Sequence, residues 1–111
     1  MASAAQQLAQ PLTLPNGSVL PNRLAKSALS ETLGTMDNRV TPALVRLYER
    51  WAKGGTGLLI TGNIMIDRRA LGEPGNVVIE DDRDLAQLSA MAEGVAKQGA
   101  KLWAQINHPG K

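Results

Sequence analysis

A chain of 111 residues that is 43% hydrophobic and 20% charged has the composition of a folded globular domain, which excludes a disordered segment. Its net charge of +2 is carried by Lys and Arg scattered among acidic residues, so nucleic acid is excluded as the main partner, and with no Cys there is neither a disulfide framework nor a thiolate metal site. Met1 to Gln10 has no basic n-region and no long apolar run, reads as neither signal peptide nor membrane span, and leaves a soluble, cytoplasmic protein as the expectation.

With no Phe, the core has to be built from Leu, Ile, Val, Ala and Met. Leu12, Leu14, Val19 and Leu20 flank Pro15-Asn16-Gly17, and Asn-Gly between short apolar segments predicts a hairpin. Arg23 to Leu29 reads as a first strand, and Ser27 to Thr32 forms a small, hydroxyl-rich exit from it. Thr41-Pro42 predicts an N-cap and first helical residue, with Leu44, Leu47, Tyr48 and Trp51 on one face and Gly54-Gly55 as the stop. Leu58 to Ile66 is a second strand, and its nearly continuous apolar run predicts cover on both faces. Asp67 to Asp81 reads as a loop around Pro74-Gly75. Asp82 is expected to cap a second helix with Leu85, Leu88, Met91, Ala92 and Val95 as its buried stripe, and Gly99 ends it. Leu102, Trp103, Ala104 and Ile106 then predict a short buried strand that turns at Pro109-Gly110.

The order hairpin, β, α, β, α, β implies parallel strands joined by helical crossovers. A doubly wound open sheet and a (β/α)₈ barrel both fit. A barrel takes roughly 250 residues, and a partial sheet would expose a strand edge, so this is expected to be the N-terminal part of something larger. No Gly-x-Gly-x-x-Gly follows a strand and no Walker-type loop is present, which favours the barrel.

Parallel folds deliver functional side chains at the C-terminal ends of their strands, where this chain puts Gln105, Asn107 and His108. The Gln105 carboxamide offers a donor and an acceptor, which suits either the amide edge of a ring or a structural hydrogen bond. Ser27 and Ser30 would admit a planar ligand to the backbone or satisfy a turn. His108 is the only His, so a metal site made by this chain is not expected, and the residue reads as structural. Gly54, Gly55 and Gly57 read as a helix-to-strand turn, and Asp81-Asp82-Arg83-Asp84 as a helix N-terminus with favourable acidic charge.

Pro21-Asn22-Arg23-Leu24 running into Ser27–Ser30, then Gly57-Leu58-Leu59-Ile60-Thr61-Gly62-Asn63, then Gln105-Ile106-Asn107-His108-Pro109-Gly110, resembles the Old Yellow Enzyme family of flavin oxidoreductases over nearly the whole chain after Gln10. The resemblance implies an FMN-containing (β/α)₈ barrel of which this chain is the first part. Residues 1–22 would be an N-terminal arm and barrel-closing hairpin, and residues 23–111 the first β-α-β-α-β of the barrel. Ser27, Ala28, Leu29 and Ser30 would lie along the isoalloxazine ring, Gly62 and Asn63 near its pyrimidine end, and Gln105 would hydrogen-bond the pyrimidine edge. Ser30 falls where relatives carry a Thr or Cys that modulates the flavin. Ala28 replaces a common Pro, and Thr32 a Tyr that contacts substrate in some members.

The implied activity is that of an ene-reductase: NADH or NADPH reduces FMN, which passes hydride to the β-carbon of an activated alkene such as an enone. The residues that hold the substrate carbonyl, the proton donor and the phosphate site match nothing here, so no catalytic residue is assigned within the chain. The expected partners are the remainder of the barrel and a small activated alkene, with neither nucleic acid nor membrane. The rival readings are a dienoyl-thioester reductase-like or amine-dehydrogenase-like flavin barrel, and a non-catalytic fragment that joins a complementary chain through its open strand edges.

Overall fold

The computed structural model describes residues 2–110. The chain opens with a helical turn that the sequence reading passed over, α1 (Ala4–Leu8). Ser3 and Gln6 form its capping box: the Ser3 hydroxyl accepts from Gln6 N at 3.2 Å, and Gln6 Oε1 accepts from Ser3 N at 2.8 Å. The hairpin follows as β1 (Leu12–Thr13) and β2 (Val19–Leu20), with Leu12 opposite Leu20 and Thr13 opposite Val19. Gly17 sits at its tip at φ 89°, a backbone that glycine adopts without steric cost.

The main body is a parallel sheet built around β4 (Leu58–Met65). Its whole length pairs on one edge with β6 (Lys101–Asn107). The other edge takes β3 (Ala25–Lys26) at Leu58 and Leu59, and β5 (Val77–Val78) at Ile64 and Met65. Residues 67–81 are therefore not all loop: Val77 and Val78 add a buried strand where β3 has already left. The first strand is shorter than Arg23–Leu29, because β4 bulges beyond Lys26 and the chain is held there by a side chain instead of a ladder.

The bulge falls at Thr61–Gly62, two residues opposite Ala104 alone. Side chains alternate along a strand, so without it Leu59 and Ile64 would face opposite ways. The extra residue turns both into one core.

That core lies between the sheet and two helices, α2 (Pro42–Lys53) and α3 (Leu85–Ala96). Thr41 caps α2 by accepting from Leu44 N at 3.2 Å, Pro42 takes the first turn, and Arg50 and Lys53 close the last. Leu44, Tyr48 and Ala52 of α2 meet Leu59, Ile64, Val77, Met91 and Val95. Trp51 stacks edge-on against Tyr48, ring centroids 5.2 Å apart. At the end of α2, Gly57 packs against Asn22, whose amide donates to Gly55 O at 2.7 Å.

Three expectations for the second half are corrected. The N-cap of α3 is Asp84, not Asp82, and no side chain caps it, because the Asp84 carboxylate turns away to Arg39 and to Val40 N. Of its proposed stripe, Met91 and Val95 are buried, whereas Leu85 is 61% exposed and Ala92 is also exposed. Strand β6 is not buried: Leu102 packs on the core, but Trp103 is 47% and Ile106 62% exposed, since β6 is an edge with one covered side among the described residues. Strand β4 does have cover on both faces, with six of its eight residues buried. No helix among the described residues is long and apolar enough to cross a membrane.

Candidate functional site

The bulge that orders the core also builds the rim. It leaves a gap in the β4–β6 ladder, which Thr61 fills by accepting from Gln105 N at 3.0 Å. Asn63 then stands opposite Gln105, and Asn107, next but one along β6, donates from Nδ2 to Asn63 Oδ1 at 2.9 Å. Leu102 faces the core, so alternation puts Trp103 and Gln105 on the opposite face. The exposed Gln105 carboxamide takes no partner among the described residues, and neither do the hydroxyls of Ser27 and Ser30.

On the other edge of β4 the exit from β3 crosses Gly62 in contact. A Cβ at Gly62 would collide with the Leu29 carbonyl and with Glu31 Oε1. Glu31 Oε2 accepts from Gly62 N at 3.0 Å and from the Tyr48 hydroxyl. Tyr48 is wholly buried, and burial, followed by its bond to the Glu31 carboxylate, pushes its phenol well above the usual range. The Lys26 ammonium lies 5.3 Å from the Tyr48 ring and 5.0 Å from the Trp51 ring, with no hydrogen-bond partner among the described residues. Burial lowers its pKa, against the opposing pull of Glu31.

The loops that follow β3 and β4 are joined just beyond. Gly34 N donates to Gly75 O at 2.8 Å, and a Cβ on Gly34 would stand 2.7 Å from the carbonyl oxygens of Gly75 and Asn76. Thr32, a β-branched residue, is held at φ 53° against Gly75. His108 accepts from Gly110 N through Nδ1 at 2.9 Å, a turn contact.

Of the residues singled out from sequence, the structure brings Leu29, Gly62, Asn63 and Gln105 to one level of the sheet, with Ser30 between Leu29 and the Gly62-bound Glu31. Ser27 and Ala28 lead up to it, Ala28 half-buried and Ser27 exposed. Gly62 is buried, and its lack of a side chain is already required by the crossing loop. Asn107 reaches the rim where the sequence puts it, but sequence reasoning missed Glu31 and Tyr48 as rim-forming groups; these two meet across 17 residues, a distance at which local pattern carries no signal.

The exposed strip, its unpartnered hydroxyls and its carboxamide suit one face and edge of a planar heterocycle. Three comparisons bear on which. A profile described as the NADH:flavin oxidoreductase / NADH oxidase family matches residues 7–111. Among curated proteins, the chain is 37% identical over 105 residues to the NADH-dependent flavin oxidoreductase iliE of Hypocrea jecorina (strain QM6a), covering 91% of this chain and 26% of that protein. It is 38% identical over 106 residues to the NADH:fumarate oxidoreductase of Klebsiella pneumoniae (strain 342), covering 96% of this chain and 11% of that one. The chain thus spans about a quarter or less of these relatives. Among solved structures, the old yellow enzyme from Trypanosoma cruzi superposes with a TM-score of 0.79 over 94% of this chain and 27% of its own, at 24% identity, which speaks for the fold. Morphinone reductase in complex with tetrahydroNAD gives 0.78 over 91% and 27%, at 25% identity. The architecture is the opening portion of a (β/α)₈ barrel, the cofactors of the family are FMN and NADH or NADPH, and the chain belongs to the NADH:flavin oxidoreductase / NADH oxidase family, that of the Old Yellow Enzymes.

Proposed function

We propose that this chain is the N-terminal part of an FMN-dependent ene-reductase and supplies one side of its flavin site. The observation that carries the reading is the meeting of the β3 exit, the β4 bulge and Gln105 at one level of the sheet. Ser27, Ala28, Leu29 and Ser30 would line the ring, Gly62 and Asn63 would approach its pyrimidine end, and Gln105 would pair with its polar edge. When bound, FMN supplies hydride transfer from NADH or NADPH to the β-carbon of an activated alkene, with a proton completing the α-carbon. The chain's own work is to orient the ring: carboxamide and hydroxyl groups fix it, and the apolar wall behind β4 keeps water from the strip's back. Catalytic acid and substrate-carbonyl donors belong to the remainder of the barrel, this chain's structural partner in the cytoplasm.

The test is reduction of an enone by the complete flavin-loaded protein without oxygen. NADH or NADPH should bleach the flavin, and addition of the enone should restore its colour with formation of the saturated ketone. Bleaching that the enone does not reverse, but that oxygen does, would identify an oxidase and sink the ene-reductase reading.

A further inference from the structure

We infer that Glu31 is a positioning residue for the flavin: its carboxylate latches the Ser27–Ser30 strip to the β4 bulge and so sets the strip's distance from Asn63 and Gln105. The inference rests on the flavin reading above. On its other edge β4 runs past the end of β3 at Lys26, and a buried backbone N–H left there without a ladder partner must find an acceptor elsewhere. For Gly62 the acceptor is Glu31 Oε2 at 3.0 Å, with the Tyr48 hydroxyl oxygen at 3.3 Å from the same nitrogen. Tyr48 donates to the same carboxylate oxygen, so one side chain ties β4, α2 and the β3 exit together.

The latch is adjacent in sequence to Ser30, so any movement of Glu31 is passed to the strip through one peptide bond. On its other side Thr32 is locked at φ 53°, where a Cβ on Gly75 would stand 2.9 Å from its carbonyl oxygen. A β-branched residue persists in that conformation only where its surroundings dictate it, and here they are Glu31 before it and Gly75 after. The loop is thus fixed at both ends before any ligand arrives, which is what orienting a rigid ring requires. A carboxylate makes a stronger bond to an N–H than a neutral acceptor does, so the charge as well as the shape of Glu31 counts.

The experiment compares the complete protein with Glu31→Gln and Glu31→Ala. Both variants are followed by FMN affinity, flavin absorption and reduction potential, and by hydrogen exchange at the Gly62 amide in the flavin-free protein. Glu31→Ala should raise the FMN dissociation constant about tenfold, shift the flavin bands and potential, and release the Gly62 amide to exchange. Glu31→Gln keeps an acceptor and should fall between, with a rise of about threefold. If Glu31→Ala does not fold, Glu31→Gln decides alone. Wild-type affinity, bands and potential in Glu31→Gln, or a Glu31→Ala no worse than it, overturn the positioning role while wild-type FMN binding keeps the flavin reading intact. Failure of the unmodified protein to bind FMN overturns both, even with the Gly62 amide protected.

Discussion

Ser30 is one bond from the Glu31 latch and its hydroxyl is exposed at the strip. A hydroxyl donated to the flavin C4 carbonyl stabilises negative charge on the reduced ring, so its removal favours the oxidised form. Ser30→Ala should therefore lower the reduction potential, by about 20 mV if the bond is worth about 1 kcal/mol to a two-electron couple. Potentiometric titration reads this directly, and a rise would place the hydroxyl elsewhere. Gln105→Leu removes a carboxamide without disturbing the Gln105 N to Thr61 bond that seals the bulge. It should weaken FMN about tenfold in a fluorescence titration, and an unchanged affinity would mean that the strand, not the side chain, is what matters. These polar groups were legible in the sequence because a polar residue at the end of an apolar run stands out locally. Glu31 was not: between Ser30 and Thr32 it reads as one more loop carboxylate, and its role appears only once Gly62, 31 residues on, is folded beside it.

The same limit explains the elements. Caps and stops written in neighbouring residues, such as Thr41-Pro42 and Gly54-Gly55, are found where the sequence puts them. The start of α3 is not, because Asp84 is engaged 44 and 45 residues back, accepting from Val40 N at 2.9 Å and from Arg39 Nε at 2.8 Å. Four acidic or basic residues in a row look like a cap, and tertiary demand takes the one that would have served. Asp84 is 5% exposed, so Asp84→Ala would leave Val40 N and Arg39 Nε without their acceptor, the Arg39 guanidinium keeping only its bond to Arg83 O. The expected loss is about 2 kcal/mol of unfolding free energy, measured by urea denaturation. Asp84→Asn, which keeps a single acceptor, should recover part of it. The turn after β4 offers a pH test: the Arg69 guanidinium holds the Asp67 carboxyl down to about 2 from 3.8. A depressed carboxyl contributes stability above its ordinary pKa and loses it as pH falls through the folded value. The Asp67–Arg69 contact should thus persist through pH 4 and give way only as pH nears 2, as followed by the Asp67 carboxyl carbon shift in NMR.

At the scale of the molecule, the parallel β-α-β order and the two-faced burial of β4 could be read from apolar runs alone, but β5 and the exposure of β6 could not. A two-residue strand such as Val77–Val78 has no period of its own; it exists because β4 has a vacant edge beside Ile64 and Met65 once β3 has turned away. The reading of β6 as buried took apolar side chains as evidence of cover, whereas Trp103 and Ile106 are apolar and bare among the described residues. Each withholds about 2 kcal/mol of burial that a covering layer would recover. Barrel relatives superpose on this chain over about a quarter of their own length, so the layer that fits is the remainder of such a barrel. In the complete protein Trp103 should be enclosed. With Trp51→Phe, leaving Trp103 as the one indole of the 111 residues, its emission should lie at short wavelength and resist acrylamide. Any Trp beyond these residues is to be replaced in the same background. Quenching as efficient as that of free tryptophanamide would show the face still open to water, and the strands expected to close over β6 would have to lie somewhere else.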